Sequence, residues 1–216
     1  SLRMTKPILY SYWRSSCAWR VRIALNLKNV DYDQRPANIL TKQGENYDEM
    51  CKYNPSAKVP VFVHGEKAIT ESLAIIEYID EVFPGTSLLP SDPAARATTR
   101  AIALHISTSC QPIQNLRVLQ YLNAEEAGKG AKWAKHWLTI TMGELEELVK
   151  RTAGRFCVGD DVTVADLCLP SILYNAKRWG VDVSALPTLT RIDEELASLP
   201  AFAAAVPDNQ PDAVKQ

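Results

Sequence analysis

"KVPVFVHGEKAITES", residues 58–72, decides how this chain folds. Two short runs rich in β-branched residues flank His64-Gly65-Glu66, and glycine there permits the tight reversal of a hairpin-like turn. The continuation "ESLAIIEYIDEVF" carries apolar residues at helical spacing, with Ser72 placed as the N-cap whose hydroxyl accepts a first-turn N–H. Working back toward the N-terminus, "PILYSYW" (7–13) reads as a strand and "AWRVRIALNLKNV" (18–30) as a helix with Val21, Ala24, Leu25 and Leu27 at helical spacing. The stretch "DYDQRPANI" (31–39) fits an edge strand, because Pro36 would remove a ladder donor from a central one. A polar, partly helical segment separates it from residue 58. The order is β-α-β followed by β-β-α.

"PGTSLLPSDP", residues 84–93, holds three prolines in ten residues and marks the domain junction. The expected division is a domain over 6–84, a linker over 85–93 and an all-helical domain over 94–216. In the helical part, residues 94–122 form a long amphipathic segment in which Pro112 predicts a kink through its missing N–H. "AKWAKHWLTITMGELEELVKRT" (131–152) and "TVADLCLPSILYNAKRW" (163–179) are two further long helices, the second opened by the capping-box pair Thr163 and Asp166. Shorter helices follow between Pro187 and Pro207, and the proline-bearing tail "PDNQPDAVKQ" is expected to pack loosely. "SLR" ahead of Met4 has the look of a cloning remnant and is set aside from the fold.

A net charge of −1 over 216 residues supplies no field for nucleic acid or an anionic membrane, so charge-dependent binding must be local. Apolar residues make up 46% of the chain, enough for substantial cores, yet no run of about 18 apolar residues predicts a membrane span. The five cysteines form an odd, widely spaced set without a CxxC pair, which points to a reducing, cytoplasmic compartment. His64, His105 and His136 lie at no ligand spacing from one another or from the cysteines, so no metal is expected.

"RSSCAWR", residues 14–20, sits where the first strand gives way to the first helix. That places Ser15, Ser16 and Cys17 at a helix N-terminus, where backbone N–H groups and the macrodipole favour an anion, with Arg14, Arg20 and Arg22 adding positive potential. Such surroundings pull a thiol pKa toward neutrality, whether the sulfur is that of Cys17 or of a bound thiol cofactor. Local chemistry also allows a plainer reading, in which a serine caps the helix and Cys17 fills space. The second signal shifts the weight: Val59-Pro60 before a strand is where thioredoxin-like folds use a cis-proline, leaving the backbone of Val59 for strand-like pairing with a peptide. Glu71 and Ser72 open another helix N-terminus suited to a carboxylate. A tripeptide thiol would then be gripped at three points.

On these residues the chain resembles the zeta-class glutathione transferases. "YSYWRSSCAWRVRIAL", "NPSAKVPVF", "ITESLAIIEY", "QPIQNL" and "FCVGDDVTVADLCL" carry the likeness, which runs from about Lys6 to Pro211. The Ser-Ser-Cys motif with its Trp-Arg-Val-Arg flank is specific to that class, whereas the Val-Pro, Glu-Ser and Thr-x-x-Asp elements are common to many glutathione transferases. The resemblance implies an α/β thioredoxin-like glutathione domain followed by an all-α domain, in a cytosolic homodimer. It also implies an activity: addition of glutathione to the cis double bond of maleylacetoacetate, rotation, and expulsion of glutathione to leave fumarylacetoacetate. That step belongs to phenylalanine and tyrosine breakdown, and α-haloacids are processed by thiol displacement. By the same resemblance, Ser15 donates to the glutathione sulfur, Ser16 adds a donor, and Cys17 lies near both sulfurs, influencing turnover without being an essential nucleophile. Val59 pairs with the cysteinyl backbone, Glu71 and Ser72 hold the γ-glutamyl end, and Gln111 and Asn115 approach glutathione from the helical domain. Arg178 grips a carboxylate of the dicarboxylate substrate, with Arg14 and Arg20 as weaker substrate-binding candidates. A further glutathione contact is expected from the "KQGENYD" loop (42–48) without assignment to a residue. Two other functions compete: a thiol transferase that uses Cys17 to form a mixed disulfide with glutathione, and a noncatalytic binding module built on the same fold.

Overall fold

A computed structural model describes residues 6–214. The chain forms two compact units, one of the described residues up to Ser87 together with those from Leu199 onward, the other Leu88–Ser198. The segment after Leu199 thus clusters with the first unit, although it follows the helical part in sequence.

In the first unit, β1 (Ile8–Ser11), α1 (Ser16–Leu27), β2 (Asp33–Pro36), α2 (Glu45–Tyr53), β3 (Val61–His64), β4 (Lys67–Thr70) and α3 (Ser72–Val82) follow the order read from the sequence. The strands lie in the order β2-β1-β3-β4, with β1 and β2 parallel and the other pairs antiparallel. The thioredoxin-like α/β class is therefore present. Pro36 ends β2 at the sheet edge, where its missing N–H costs no ladder bond. His64 pairs with Lys67 across a two-residue turn whose Gly65 has φ 61°, a conformation that glycine adopts without a Cβ clash.

All of β3 is buried, and its period of two divides the core. Val61 and Val63 join Tyr10, Tyr12, Trp13 and Met50 in one cluster. Phe62 and His64 turn toward Tyr78 of α3, with His64 Nδ1 3.1 Å from the Tyr78 hydroxyl and its ring stacked on Phe83. Helix α1 is buried continuously from Ala18 to Leu25, so even Arg20 and Arg22 lie inside. Its C-terminal end is tied to α3 by a buried ion pair, Lys28 Nζ to Asp80 Oδ1 at 2.7 Å.

The tail differs from the loose packing expected of it. After α9 (Pro200–Ala203), Gln210 is buried, donates to the carbonyls of Ala204 and Val206, and accepts from Gln34. Asp212 Oδ2 accepts the Trp13 N–H at 2.9 Å. Prolines in this stretch end regular structure without freeing the chain, because side chains of the first unit supply the partners that a helix or strand would have given.

The second unit is helical: α4 (Pro93–Leu104), α5 (Leu116–Glu125), α6 (Lys129–Lys150), α7 (Val164–Arg178) and α8 (Pro187–Ala197). Where Pro112 predicts a kink, the chain leaves α4 through a π-helical turn, His105–Cys110, and a 3-10 turn, Pro112–Gln114. Pro112 opens the 3-10 turn at its first position, where a missing N–H costs no bond within the turn. Helix α7 is buried nearly all round, and its N-terminus has the expected capping box. Asp166 accepts from the Thr163 N–H and hydroxyl and also from the Cys157 N–H, at 2.8, 2.9 and 2.8 Å. A second cap was not legible in the sequence: the buried Glu146 carboxylate on α6 accepts the N–H groups of Thr188 and Leu189 at the start of α8.

Candidate active site

The strand-to-helix junction is built from short contacts. Ser15 has extended backbone and is the N-cap of α1, its Oγ accepting the Ala18 N–H at 3.2 Å. This use consumes a lone pair and leaves the hydroxyl proton to donate, so capping and thiolate binding are compatible roles for one side chain. The Ser15 N–H donates to the Tyr12 carbonyl at 2.9 Å, closing the turn. Ser16 and Cys17 form the first turn of α1 rather than preceding it, and helix geometry points their N–H groups out of the N-terminus. Ser15 and Cys17 are half-buried and Ser16 is more deeply placed, so the hydroxyl and the thiol reach the surface at the positive end of the helix. Arg14 lies over the Trp13 ring at 5.2 Å and remains half-buried at the same edge.

Arg20 departs from the substrate-lining place expected for it. Its side chain is fully buried, with Nη1 donating to Ser72 Oγ at 3.4 Å. Nε and Nη2 have no hydrogen-bond partner, and among the described residues no carboxylate forms an ion pair with it. An unpaired cation inside a protein is costly. Here it lies beneath the N-terminus of α3, and its charge and the helix dipole add in one direction. Ser72 is the first residue of α3, not its cap: the N-cap is Glu71, exposed and held at φ 68°. A non-glycine residue in that region stores strain, as functional backbone often does. The arrangement presents Ser72 and the α3 N-terminus to an anion with a buried positive charge behind them.

Between these two helix starts, the Val59-Pro60 peptide is cis, as the Val-Pro signal led one to expect. The main-chain N–H and C=O of Val59 make no hydrogen bond among the described residues. Ser15, Val59 and Ser72 thus supply a hydroxyl donor, a pair of main-chain groups and a positively backed helix N-terminus on one unit. The cleft of about 530 Å³ lined by Arg35, Glu45, Asp48, Glu49 and Lys52 contains none of these residues. Of its charged residues, Arg35 is paired with Glu49 and also with Asp33.

In the helical unit, the Gln111 N–H donates to the Ile106 carbonyl with π-helical spacing, and Asn115 caps α5 through Oδ1 on the Arg117 N–H at 3.1 Å. Arg178, exposed at the C-terminal end of α7, lies 4.8 Å from the Trp179 ring. The Trp179 indole N–H donates to Gln114 Oε1 at 3.3 Å, and this bond brings the end of α7 beside the turn that bears Gln111 and Asn115. Trp179 and Gln114 are the residues that sequence reasoning missed here; a tryptophan directly after Arg178 was the available signal. Among the described residues no group of histidines, cysteines or carboxylates could hold a metal ion.

Comparison with known proteins identifies the family. Residues 6–81 match the glutathione S-transferase N-terminal domain and residues 114–205 the glutathione S-transferase C-terminal domain. The chain belongs to the glutathione transferase family, in the branch of the zeta class and the maleylacetoacetate isomerases. It is 53% identical over 207 residues to a probable maleylacetoacetate isomerase of Caenorhabditis elegans, covering 96% of each chain. A crystal structure of maleylacetoacetate isomerase from Anaeromyxobacter dehalogenans with glutathione bound in the active site is 40% identical, with a TM-score of 0.88, covering 97% of this chain and 98% of that one. The same enzyme, solved with dicarboxyethyl glutathione and citrate in its active site, is 39% identical with a TM-score of 0.87 over the same shares.

Proposed function

We propose that this protein catalyses the glutathione-dependent cis-trans isomerisation of maleylacetoacetate to fumarylacetoacetate, with glutathione transfer to α-haloacids as a second activity. The single observation that carries the reading is the coincidence, on one thioredoxin-like unit, of the Ser15 hydroxyl at the N-terminus of α1 with the buried Arg20 behind Ser72. Ser15 and the first turn of α1 hold the glutathione sulfur as a thiolate, and each pKa unit of lowering requires about 1.4 kcal/mol of preferential binding to the anion. Ser16 adds a donor, and Cys17 stands beside the sulfur without forming a bond to substrate. Val59 pairs with the cysteinyl main chain, while Glu71 and Ser72 hold the γ-glutamyl end, whose carboxylate supplies the countercharge that Arg20 lacks.

The thiolate adds to the carbon–carbon double bond and the electron pair moves into the adjacent carbonyl as an enolate. Rotation about the new single bond follows; collapse of the enolate then expels glutathione as thiolate and restores the double bond in the trans form. No electrons are lost or gained overall. Cationic groups stabilise the developing enolate and the substrate carboxylates, and Arg178 is assigned the carboxylate, gripped in bidentate fashion. Gln111 and Asn115 approach glutathione from the helical residues, and Arg14 contributes positive field at the thiolate. Bound dicarboxyethyl glutathione in the related structure supports a dicarboxylate thioether as the species accommodated.

The division of labour is glutathione binding in the first unit and substrate binding in the helical unit Leu88–Ser198, shorter at its C-terminal end than the 94–216 expected from the sequence, with the family resemblance supporting a cytoplasmic homodimer. No described helix is long and apolar enough to cross a membrane. The test follows conversion of maleylacetoacetate with and without glutathione: turnover that saturates with glutathione is expected, and equal turnover in its absence would overturn the reading.

A further inference from the structure

The turn that delivers Ser15 is held from outside its own sequence neighbourhood. The N–H of Trp13, two residues before Ser15, donates to Asp212 Oδ2 at 2.9 Å, and its carbonyl accepts from Arg22 Nη2 at 3.1 Å. Both main-chain groups of Trp13 are therefore fixed, and the Ser15 N–H bond to the Tyr12 carbonyl at 2.9 Å spans the same turn. The guanidinium of Arg22 is 1% exposed and does more than hold Trp13. Its Nε and Nη2 both donate to the Ala205 carbonyl at 3.2 and 3.0 Å, and Nη1 donates to Ser11 Oγ at the end of β1 at 3.1 Å. Burial lowers its pKa to about 10, well above neutral, so it remains a cation, and Asp212 supplies nearby negative charge. The second carboxylate oxygen of Asp212 is buried without a hydrogen bond, leaving Trp13 as the partner of this carboxylate. The segment that carries Ala205 and Asp212 is itself moored, by Asn26 Nδ2 on the Ala201 carbonyl at 2.9 Å and by Gln34 on Gln210 at 3.2 Å.

We propose that Asp212 and Arg22 are positioning residues for the glutathione thiolate: Asp212 of the C-terminal segment and Arg22 of α1, itself bound to the Ala205 carbonyl, hold Trp13 at its N–H and its carbonyl and so fix where the Ser15 hydroxyl points. The inference rests on the assignment of Ser15 to the glutathione sulfur. Hydrogen-bond donors act on a developing or bound anion only within a few tenths of an ångström of the right place, so loosening Trp13 is expected to weaken Ser15 as a donor without touching its side chain. The sign of the effect separates this role from a direct electrostatic one. Removing an anion near a thiolate would lower the thiol pKa, whereas losing the Ser15 geometry would raise it.

The experiment measures the pH profile of kcat/KM for maleylacetoacetate at saturating glutathione, which reads the thiol of bound glutathione, in the full chain, for the wild type, Asp212→Ala, Asp212→Asn and Ser15→Ala, with thermal midpoints alongside. Asp212→Ala is expected to move the acidic limb of the profile to higher pH by about half a unit or more. Asp212→Asn, which keeps an oxygen acceptor for the Trp13 N–H, is expected to restore the wild-type position. Deletion of residues 212–216 removes the acceptor by another route and is expected to shift the profile in the same direction as Asp212→Ala. A profile for Asp212→Ala that coincides with the wild type or moves to lower pH would overturn the proposal, as would an equal shift in Asp212→Asn. Ser15→Ala distinguishes the two levels: if it moves the profile and Asp212→Ala does not, the positioning role alone fails. If Ser15→Ala leaves the profile in place, the Ser15 assignment fails and the positioning role goes with it.

Discussion

Arg20 on α1 donates to Ser72 at the start of α3, so the helix capped by Ser15 also places a buried positive charge under the N-terminus of α3. The guanidinium has two unpartnered nitrogens and no carboxylate in salt-bridge range among the described residues, an arrangement that costs stability until an anion arrives.

Arg20→Met keeps much of the length and removes the charge. Ligand-free stability is expected to stay level or rise by ~1 kcal/mol, since relief of a buried unpaired cation offsets the lost hydrogen bond. Glutathione affinity is expected to fall about tenfold or more, equivalent to at least about 1.4 kcal/mol. Thermal unfolding without ligand and calorimetry with glutathione read the two effects separately; a variant that loses stability and keeps its affinity would show Arg20 to be structural only.

Arg178→Ala is expected to raise KM for the dicarboxylate substrate about tenfold while leaving KM for glutathione unchanged. Arg178→Lys is expected to recover only part of the loss, because an ammonium cannot reproduce the two parallel donors of a guanidinium. Steady-state kinetics with each substrate varied in turn checks both variants.

Replacing Cys17 by alanine separates isomerase from thiol transferase. Isomerisation is expected to persist within a few-fold of wild type, because the nucleophile belongs to glutathione. Mixed-disulfide formation at this position, read by mass spectrometry after exposure to oxidised glutathione, is expected to disappear. Isomerisation that vanished with Cys17 would transfer the nucleophilic role to the protein.

Asp166 gives the helical unit a pH signature. Burial raises its carboxyl above the ordinary carboxylate value, outweighing the lowering from hydrogen bonds with Cys157 and Thr163. Between the ordinary and the raised value the folded chain keeps a proton that the unfolded chain has released, so this group's contribution to stability is complete below that window and declines as pH rises through it. Urea midpoints across the carboxylate range are expected to show that decline in wild type relative to Asp166→Asn. Asp166→Ala, which strands the N–H groups of Cys157 and Thr163, is expected to cost about 2–4 kcal/mol at neutral pH.

Much of the fold could be read along the chain because it rests on local periodicity and punctuation: the β3–β4 hairpin around Gly65, the edge position of Pro36 and the Thr163–Asp166 box all use residues within a few places of one another. What escaped depended on partners distant in sequence or on burial. The anchoring of the tail depends on Arg22, and Arg22 makes its contact with Ala205 across 183 positions. Arg20 has the same residue type as a surface cation, and only the continuous burial of α1 from Ala18 to Leu25 shows that it faces inward. Ser72 fits an N-cap by residue type, yet Glu71, at positive φ, takes that place; the helix starts one residue earlier, and the serine hydroxyl meets Arg20. The π-turn before Pro112 is a change of winding that no residue in "HISTSC" announces.

The claim at the centre is that Ser15 and the first turn of α1 hold the sulfur of glutathione as a thiolate. Ultraviolet absorbance of the bound thiolate, titrated against pH in wild type and Ser15→Ala, measures this directly. The wild-type transition is expected at least about one pH unit below that of Ser15→Ala, with free glutathione higher than the wild-type complex. Coincident transitions in the two proteins would contradict it.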